Sequence, residues 1–283
     1  MTTLLLLALA CNSKTPADTQ TTDSHVTQDT DTTGGEQLPV YNGSTGPFSV
    51  QTETDTVGGT DVTWYIPAQS NGRAIAWSHG FARSPENQAK FAERAATWGF
   101  LVATPKLPSF SDHEANALFL ATDLRQAALA RGATSVGYVG HSAGGLASLL
   151  AAGQSEAWVM VGLDGTDVSD LGIDNDTSVT APTLLMVGEP STCNSDGNGR
   201  EWQTSGNSRH LYLHDATHCD FESDTDSLCT SFCGANDAAR QERVAVWAIA
   251  YLLETAGADV GDWKSGGTEE NAEITDGNIS NSW

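Results

Sequence analysis

The sequence predicts an α/β fold: a mostly parallel central sheet with helices on both faces and no large lid. Three observations point there. Short apolar, β-prone runs alternate with stretches of helical spacing between residues 45 and 256. One of these units, around Gly140-His141-Ser142-Ala143-Gly144, reads as strand, sharp turn and helix. A chain of 283 residues suits one large domain with tails.

Taken in order, 47–54 and 62–66 form a hairpin around Gly58-Gly59. The apolar run 74–77 is a strand that leads into His79-Gly80-Phe81. Helical spacing over 85–98 puts Ala89, Phe91, Ala92, Ala95 and Ala96 on one face, with Gly99 as the stop. A buried strand over 100–104 ends at Pro105, and a long helix follows over 116–130. Then come the strand 135–139, the turn at Ser142 and a helix over 146–152 stopped by Gly153. The strand 158–163 runs into Asp164. The strand 182–188 follows after a stretch, 165–181, too short to build a helical lid, so the site is expected to be open. The last expected strand is 211–213. A closing amphipathic helix over 236–256 turns Val244, Trp247, Ala248, Tyr251 and Leu252 inward. Residues 257–283 are polar and Gly-rich, and a loose tail is expected.

Chemistry concentrates at Ser142. A serine hydroxyl is a poor nucleophile unless a base takes its proton. His218 lies in a loop just beyond the last expected strand; His210 precedes that strand and His214 sits at its end. A triad also needs an acid at the carboxyl end of a strand past the Ser142 strand. Asp164 ends its strand directly and is followed by Gly165. Asp167, three residues on, and Glu189, after the next strand, are the alternatives. Gly140 and Gly144 allow the close strand–helix approach that a serine on a strained turn requires. The Ala143 amide, at the helix N-terminus, faces a developing oxyanion. Four cysteines, Cys193, Cys219, Cys229 and Cys233, cluster near His218. Two disulfides are expected, with three pairings open, one of which would brace the His218 loop. The rival, a zinc site, lacks a C-x-x-C pair. Neither metal nor cofactor is expected.

The runs His79-Gly80-Phe81, 98–105, 140–145, 163–167 and His218-Cys219-Asp220-Phe221 together resemble the chlorophyllase-like branch of the α/β-hydrolases. They are also similar to bacterial relatives of platelet-activating-factor acetylhydrolase and to cutinase-like polyester hydrolases. The resemblance implies the α/β-hydrolase fold and ester hydrolysis by a Ser-His-Asp triad without metal. It implies the acid at Asp164, and an oxyanion hole from the amides of Phe81 and Ala143. Substrates would be small-molecule or polymeric esters. Two other readings use the same scaffold: a non-catalytic binding lipoprotein, and a peptidase or acyltransferase.

At the N-terminus, the apolar run 4–10 is too short to span a bilayer and stops at Cys11. It resembles a bacterial lipoprotein signal, which implies a lipid on Cys11 and export to the cell envelope, periplasmic or surface. Residues 12–38, rich in Thr, Asp, Ser and Gln, read as a disordered tether ahead of a catalytic domain over 39–256. The 36 acidic and 13 basic residues, net charge -23, exclude nucleic acid and an anionic membrane surface as natural partners. Membrane contact is expected only through the Cys11 lipid, and the protein is expected to be monomeric.

Overall fold

A computed structural model describes residues 38–282. Cys11, the expected signal and all of the expected tether except Leu38 lie outside the described residues. The strands are β1 (Val50–Val57), β2 (Thr60–Pro67), β3 (Arg73–Ser78), β4 (Leu101–Pro105), β5 (Ser135–His141), β6 (Ala157–Leu163), β7 (Thr183–Val187), β8 (Ser208–Leu213) and β9 (Ile279–Ser280). The helices are α1 (Ala89–Ala96), α2 (His113–Phe119), α3 (Arg125–Ala130), α4 (Ala143–Gln154), α5 (Leu171–Asn175), α6 (Ser227–Cys233), α7 (Ala238–Thr255) and α8 (Thr268–Thr275).

Among the described residues the strands form one sheet in the order β1-β2-β4-β3-β5-β6-β7-β8-β9. The six strands from β4 to β8 in this order are parallel. The β1–β2 hairpin pairs antiparallel with β4, and β9 runs antiparallel to β8. The expected α/β class, with a mostly parallel sheet, is what the chain forms. Both sheet faces are apolar because β3 to β7 are buried almost throughout, as parallel strands covered on two sides must be. One face packs on α1 and α7 through Phe91, Ala95, Trp247 and Leu252. The other packs on α2, α3 and α4 through Ala117, Leu124, Ala128, Leu146 and Leu150.

The order places the functional end of the sheet. The chain leaves β3 for β4 on one side, then crosses to β5 on the other. A crevice opens at the carboxyl ends of two strands whose connections part in this way. Here those ends are His79-Gly80-Phe81 after β3 and Ser142 after β5.

Three expectations are corrected. The helix expected over 116–130 starts at His113 and passes through a π-helical turn, Leu120–Leu124, between α2 and α3. β8 is not the last strand. The tail is not loose, since 257–282 folds back as α8 and β9. There Ile279 is buried beside Leu213, and Trp263 packs against Tyr41 and Trp247 at 6.0 and 5.1 Å. Two well-spaced apolar residues, Trp263 and Ile279, anchor a segment whose mean composition is polar. The stretch 165–181 holds only α5 and a 3-10 turn, as its length requires. No helix of the described residues is long and apolar enough to cross a membrane.

Candidate active site

Ser142 sits between β5 and α4 at φ 56°, ψ -125°. A non-glycine residue there is strained by about 1–3 kcal/mol and persists only where its surroundings hold it. They do so through its backbone. Its N–H donates to the Leu163 carbonyl at 3.1 Å, and its carbonyl accepts from Gly145 at 2.8 Å and Thr166 at 3.2 Å. A Cβ on Gly140 would run into the Gly144 carbonyl, and one on Gly144 into the His79 carbonyl. Only glycines let the strand, the helix and the β3 turn meet this closely.

Asp164 follows β6, fully buried and also at positive φ, 47°. Its carboxylate accepts from the Gly188 amide at 3.1 Å and from Asn194 Nδ2 at 3.2 and 3.1 Å. The shortest bond is to His218 Nδ1, at 2.6 Å. With two donors already on the carboxylate, the proton of this bond belongs to His218 Nδ1, which leaves Nε2 bare as a base. Ser142 and His218 line one cavity of about 350 Å³, together with Phe81, Arg83, Leu228 and Phe232.

The alternative acids are engaged elsewhere. Asp167 accepts from the Gly172 and Ile173 amides, both at 2.9 Å, and from Trp202 Nε1 at 2.8 Å, which fixes the start of α5. Glu189 accepts from the Asp215 amide at 3.0 Å and bonds Tyr212. Phe81 and Ala143 both border a second cavity, of about 250 Å³, that adjoins the first.

His79 and His141 stand in support. His79 Nε2 accepts from the Leu107 amide at 3.1 Å, so Nδ1 carries the hydrogen donated to the Gly80 carbonyl at 2.8 Å; burial lowers its pKa. His141 donates from Nε2 to the His218 carbonyl at 3.2 Å, and the two rings lie 4.4 Å apart. Burial first, then the fields of His218 and Arg83, holds its pKa well below the ordinary value. A neutral ring beneath His218 adds no competing charge.

Asn194, Arg83 and Glu222 have no part in the sequence reading, and Asp220 figures there only within the His218-Cys219-Asp220-Phe221 run. Asn194 is fully buried. Its Nδ2 also reaches the Glu189 carbonyl at 2.9 Å, and its Oδ1 accepts from Ser191 and Gly197 amides at 2.8 and 3.0 Å. Arg83 and the fully buried Glu222 form a two-pronged ion pair at 2.5 and 2.8 Å in the cavity wall, and Arg83 also bonds Asp226 at 3.0 Å. Asp220 accepts from the Thr217 amide, the Asp237 amide and Arg240 Nε, which ties the His218 turn to α7. The Ser191-x-x-Asn194 capping pattern was a local signal for Asn194. The Arg83–Glu222 pair had none, because its partners lie 139 residues apart.

The cysteines pair as Cys193–Cys233 and Cys219–Cys229. Cys219, Cys229 and Cys233 sulfurs lie within 4.8 Å of one another, but all belong to cystines and offer no thiolate to a metal. Two cystines in one domain mark a protein that matures in an oxidising, extracytoplasmic setting. Both run to α6, which carries Leu228 and Phe232, 50% and 75% exposed, on the cavity wall. All four thiols are expected to resist labelling in the native protein until it is reduced; quantitative labelling of unreduced protein from the native host would contradict the pairing. Closing loops of 40 and 10 residues, the bonds are expected to stabilise the fold by about 4 and about 3 kcal/mol on a chain-entropy basis, so denaturant midpoints should fall more for Cys193→Ser than for Cys229→Ser.

No protein-family model matches the chain and no curated protein matches it, so the geometry at Ser142, Asp164 and His218 carries the reading that follows.

Proposed function

We propose that this protein is a serine hydrolase that cleaves carboxylic esters through an acyl-enzyme intermediate, on an α/β-hydrolase scaffold of the chlorophyllase-like kind. The observation that carries the reading is the 2.6 Å bond from the buried Asp164 to His218, a histidine that lines the same cavity as a serine held on a strained strand–helix turn. The chain order Ser, Asp, His is that of the α/β-hydrolases and supports the scaffold assignment.

In this mechanism Ser142 Oγ attacks the ester carbonyl carbon while His218 Nε2 takes its proton. Asp164 holds the ring in the Nδ1–H tautomer and stabilises the imidazolium. The amides of Phe81 and Ala143 receive the oxyanion. The tetrahedral intermediate collapses, and His218 returns the proton to the departing alcohol. Water, deprotonated by the same His218, then attacks the acyl-Ser142 carbonyl carbon; the Ser142 Oγ–acyl bond breaks, His218 returns the proton to Ser142 Oγ, and the acid leaves. The site is open, and its apolar wall of Phe81, Leu228 and Phe232 suits the hydrocarbon part of an ester.

The test is turnover of a short-chain p-nitrophenyl ester by the purified protein, with Ser142→Ala as the blank. Equal rates from both proteins would sink the proposal. Asn194 supplies a finer test. Asn194→Ala removes a donor from a buried carboxylate, so kcat is expected to fall by about ten- to a hundredfold with KM nearly unchanged. Steady-state kinetics, with circular dichroism to verify folding, measure it. Export with a lipid on Cys11 belongs to the same proposal; the cystines support export, and the anchor rests on the sequence.

A further inference from the structure

The two cavities at Ser142 differ in chemistry. The first has the apolar wall of α6. The second shares Phe81, Ala82 and Arg83 with it and has Ala143 in its wall. The second is also lined by His79, Lys106, His113 and Asn116, and by no Asp or Glu. In a chain with 36 acidic and 13 basic residues, a hollow that gathers one arginine, one lysine and two histidines without a carboxylate runs against the overall charge.

Most of these groups have a structural task. Both His79 nitrogens are bonded, Arg83 is held by Glu222 and Asp226, and Asn116 clamps Ser109 through its amide and carbonyl at 2.8 and 2.9 Å. Lys106 and His113 are different. Lys106 is exposed and forms no ion pair with a described residue. His113 is only 9% exposed and neither ring nitrogen bonds a described residue; Nδ1 is shut off from solvent, so Nε2 is the nitrogen that can reach the cavity. Burial lowers its pKa against the opposing fields of Asp112 and Asp167, so the ring is a neutral N–H donor at neutral pH. Neither acid lines the cavity. Asp112 is bonded to the Ala115 amide, and Asp167 to the α5 amides and Trp202. Glu86 acts on His79 and lies within the field of Lys106, but it too is outside the lining.

Resting on the ester-hydrolase reading, we propose that the second cavity is a carboxylate subsite: the natural ester is a half-ester or hydroxy-acid ester whose free carboxylate is met by Lys106 and His113. One cation and one neutral donor match a singly charged carboxylate better than a doubly charged phosphate. With the carbonyl oxygen at the Phe81 and Ala143 amides, the two halves of the substrate part at Ser142. The hydrocarbon half lies along α6 and the charged half past Ala143.

The test compares charged esters, monoethyl glutarate and the acetyl ester of γ-hydroxybutyrate, with the neutral isosteres ethyl hexanoate and pentyl acetate. These pairs put the charge on the acyl side in one case and the alcohol side in the other. Lys106→Met is expected to lower kcat/KM for at least one charged ester by about tenfold and to change the neutral esters by less than about twofold, and added salt should shrink the difference. Equal behaviour of charged and neutral esters, with Lys106→Met silent, overturns the subsite and leaves the hydrolase reading standing. Absence of turnover with every ester would instead count against that reading. The subsite is then judged on Ser142→Ala protein titrated with monoethyl glutarate while the His113 ring signals are followed by NMR. A saturable shift that Lys106→Met abolishes supports the subsite, and no shift overturns it.

Discussion

Ser142→Ala is expected to lower ester turnover by about five orders of magnitude, leaving the residual rate that oxyanion amides and binding supply without a nucleophile. The substitution isolates chemistry from folding because the hydrogen bonds that hold residue 142 are made by its backbone. A second variant sharpens the test. At φ 56° and ψ -125°, serine and alanine are both strained, whereas glycine adopts this conformation readily. Ser142→Gly is therefore expected to abolish turnover and yet raise the melting temperature by about 2–4 °C, as a gain near 1 kcal/mol does in a domain of this size. Activity lost with stability gained is the signature of strain kept for function. A serine with only a structural task would show no loss of turnover. Kinetics and thermal melts on the three proteins decide the matter.

Asp164→Asn is expected to lower kcat by about four orders of magnitude with the fold intact. The surroundings dictate how the new amide sits. The Gly188 amide donates to Oδ1, so that position keeps the oxygen, while Asn194 Nδ2 lies near both positions. The NH2 group then falls where Oδ2 now meets His218 Nδ1. An amide nitrogen there donates to Nδ1, drives the proton to Nε2 and removes the base. The two rival acids give different outcomes. Glu189→Gln touches only the Asp215 amide and Tyr212, so kcat should change by less than about tenfold. Asp167→Asn disturbs a buried acceptor of three N–H groups, so it should lower the melting temperature more than kcat. If Glu189→Gln cripples turnover while Asp164→Asn is silent, the acid stands on the wrong strand.

The parts of this molecule that could be read from the sequence are those coded locally. The turn at Ser142 depends on five consecutive residues between a β-prone run and a helical one. Likewise β3, β5 and β6 announced themselves as short apolar runs. His218 followed from chain order. The acid stayed open among Asp164, Asp167 and Glu189 because each ends or follows a strand; which of them meets His218 depends on where their side chains bond, and that is a tertiary fact. The tail was misread for a similar reason. Ile279 and Trp263 are isolated apolar residues in a polar segment, and their partners, Leu213, Tyr41 and Trp247, lie far off in the chain. The π-helical turn at Leu120–Leu124 has no compositional mark at all.

The two cystines have a bearing on when, as well as how, the site exists. Cys219 adjoins His218, Cys193 adjoins Asn194, and both bonds end on α6. One short helix is thus tethered beside His218 on one side and beside Asn194, which holds Asp164, on the other. In a newly made chain with its thiols still reduced, neither tether is present, and α6 is held by noncovalent bonds such as Arg83–Asp226 at its N-cap. On the proposed function, the reduced chain is expected to turn over esters more slowly than the oxidised one, so that activity rises once the protein reaches an oxidising compartment. Oxidation would then do here what removal of a propeptide does for a secreted protease.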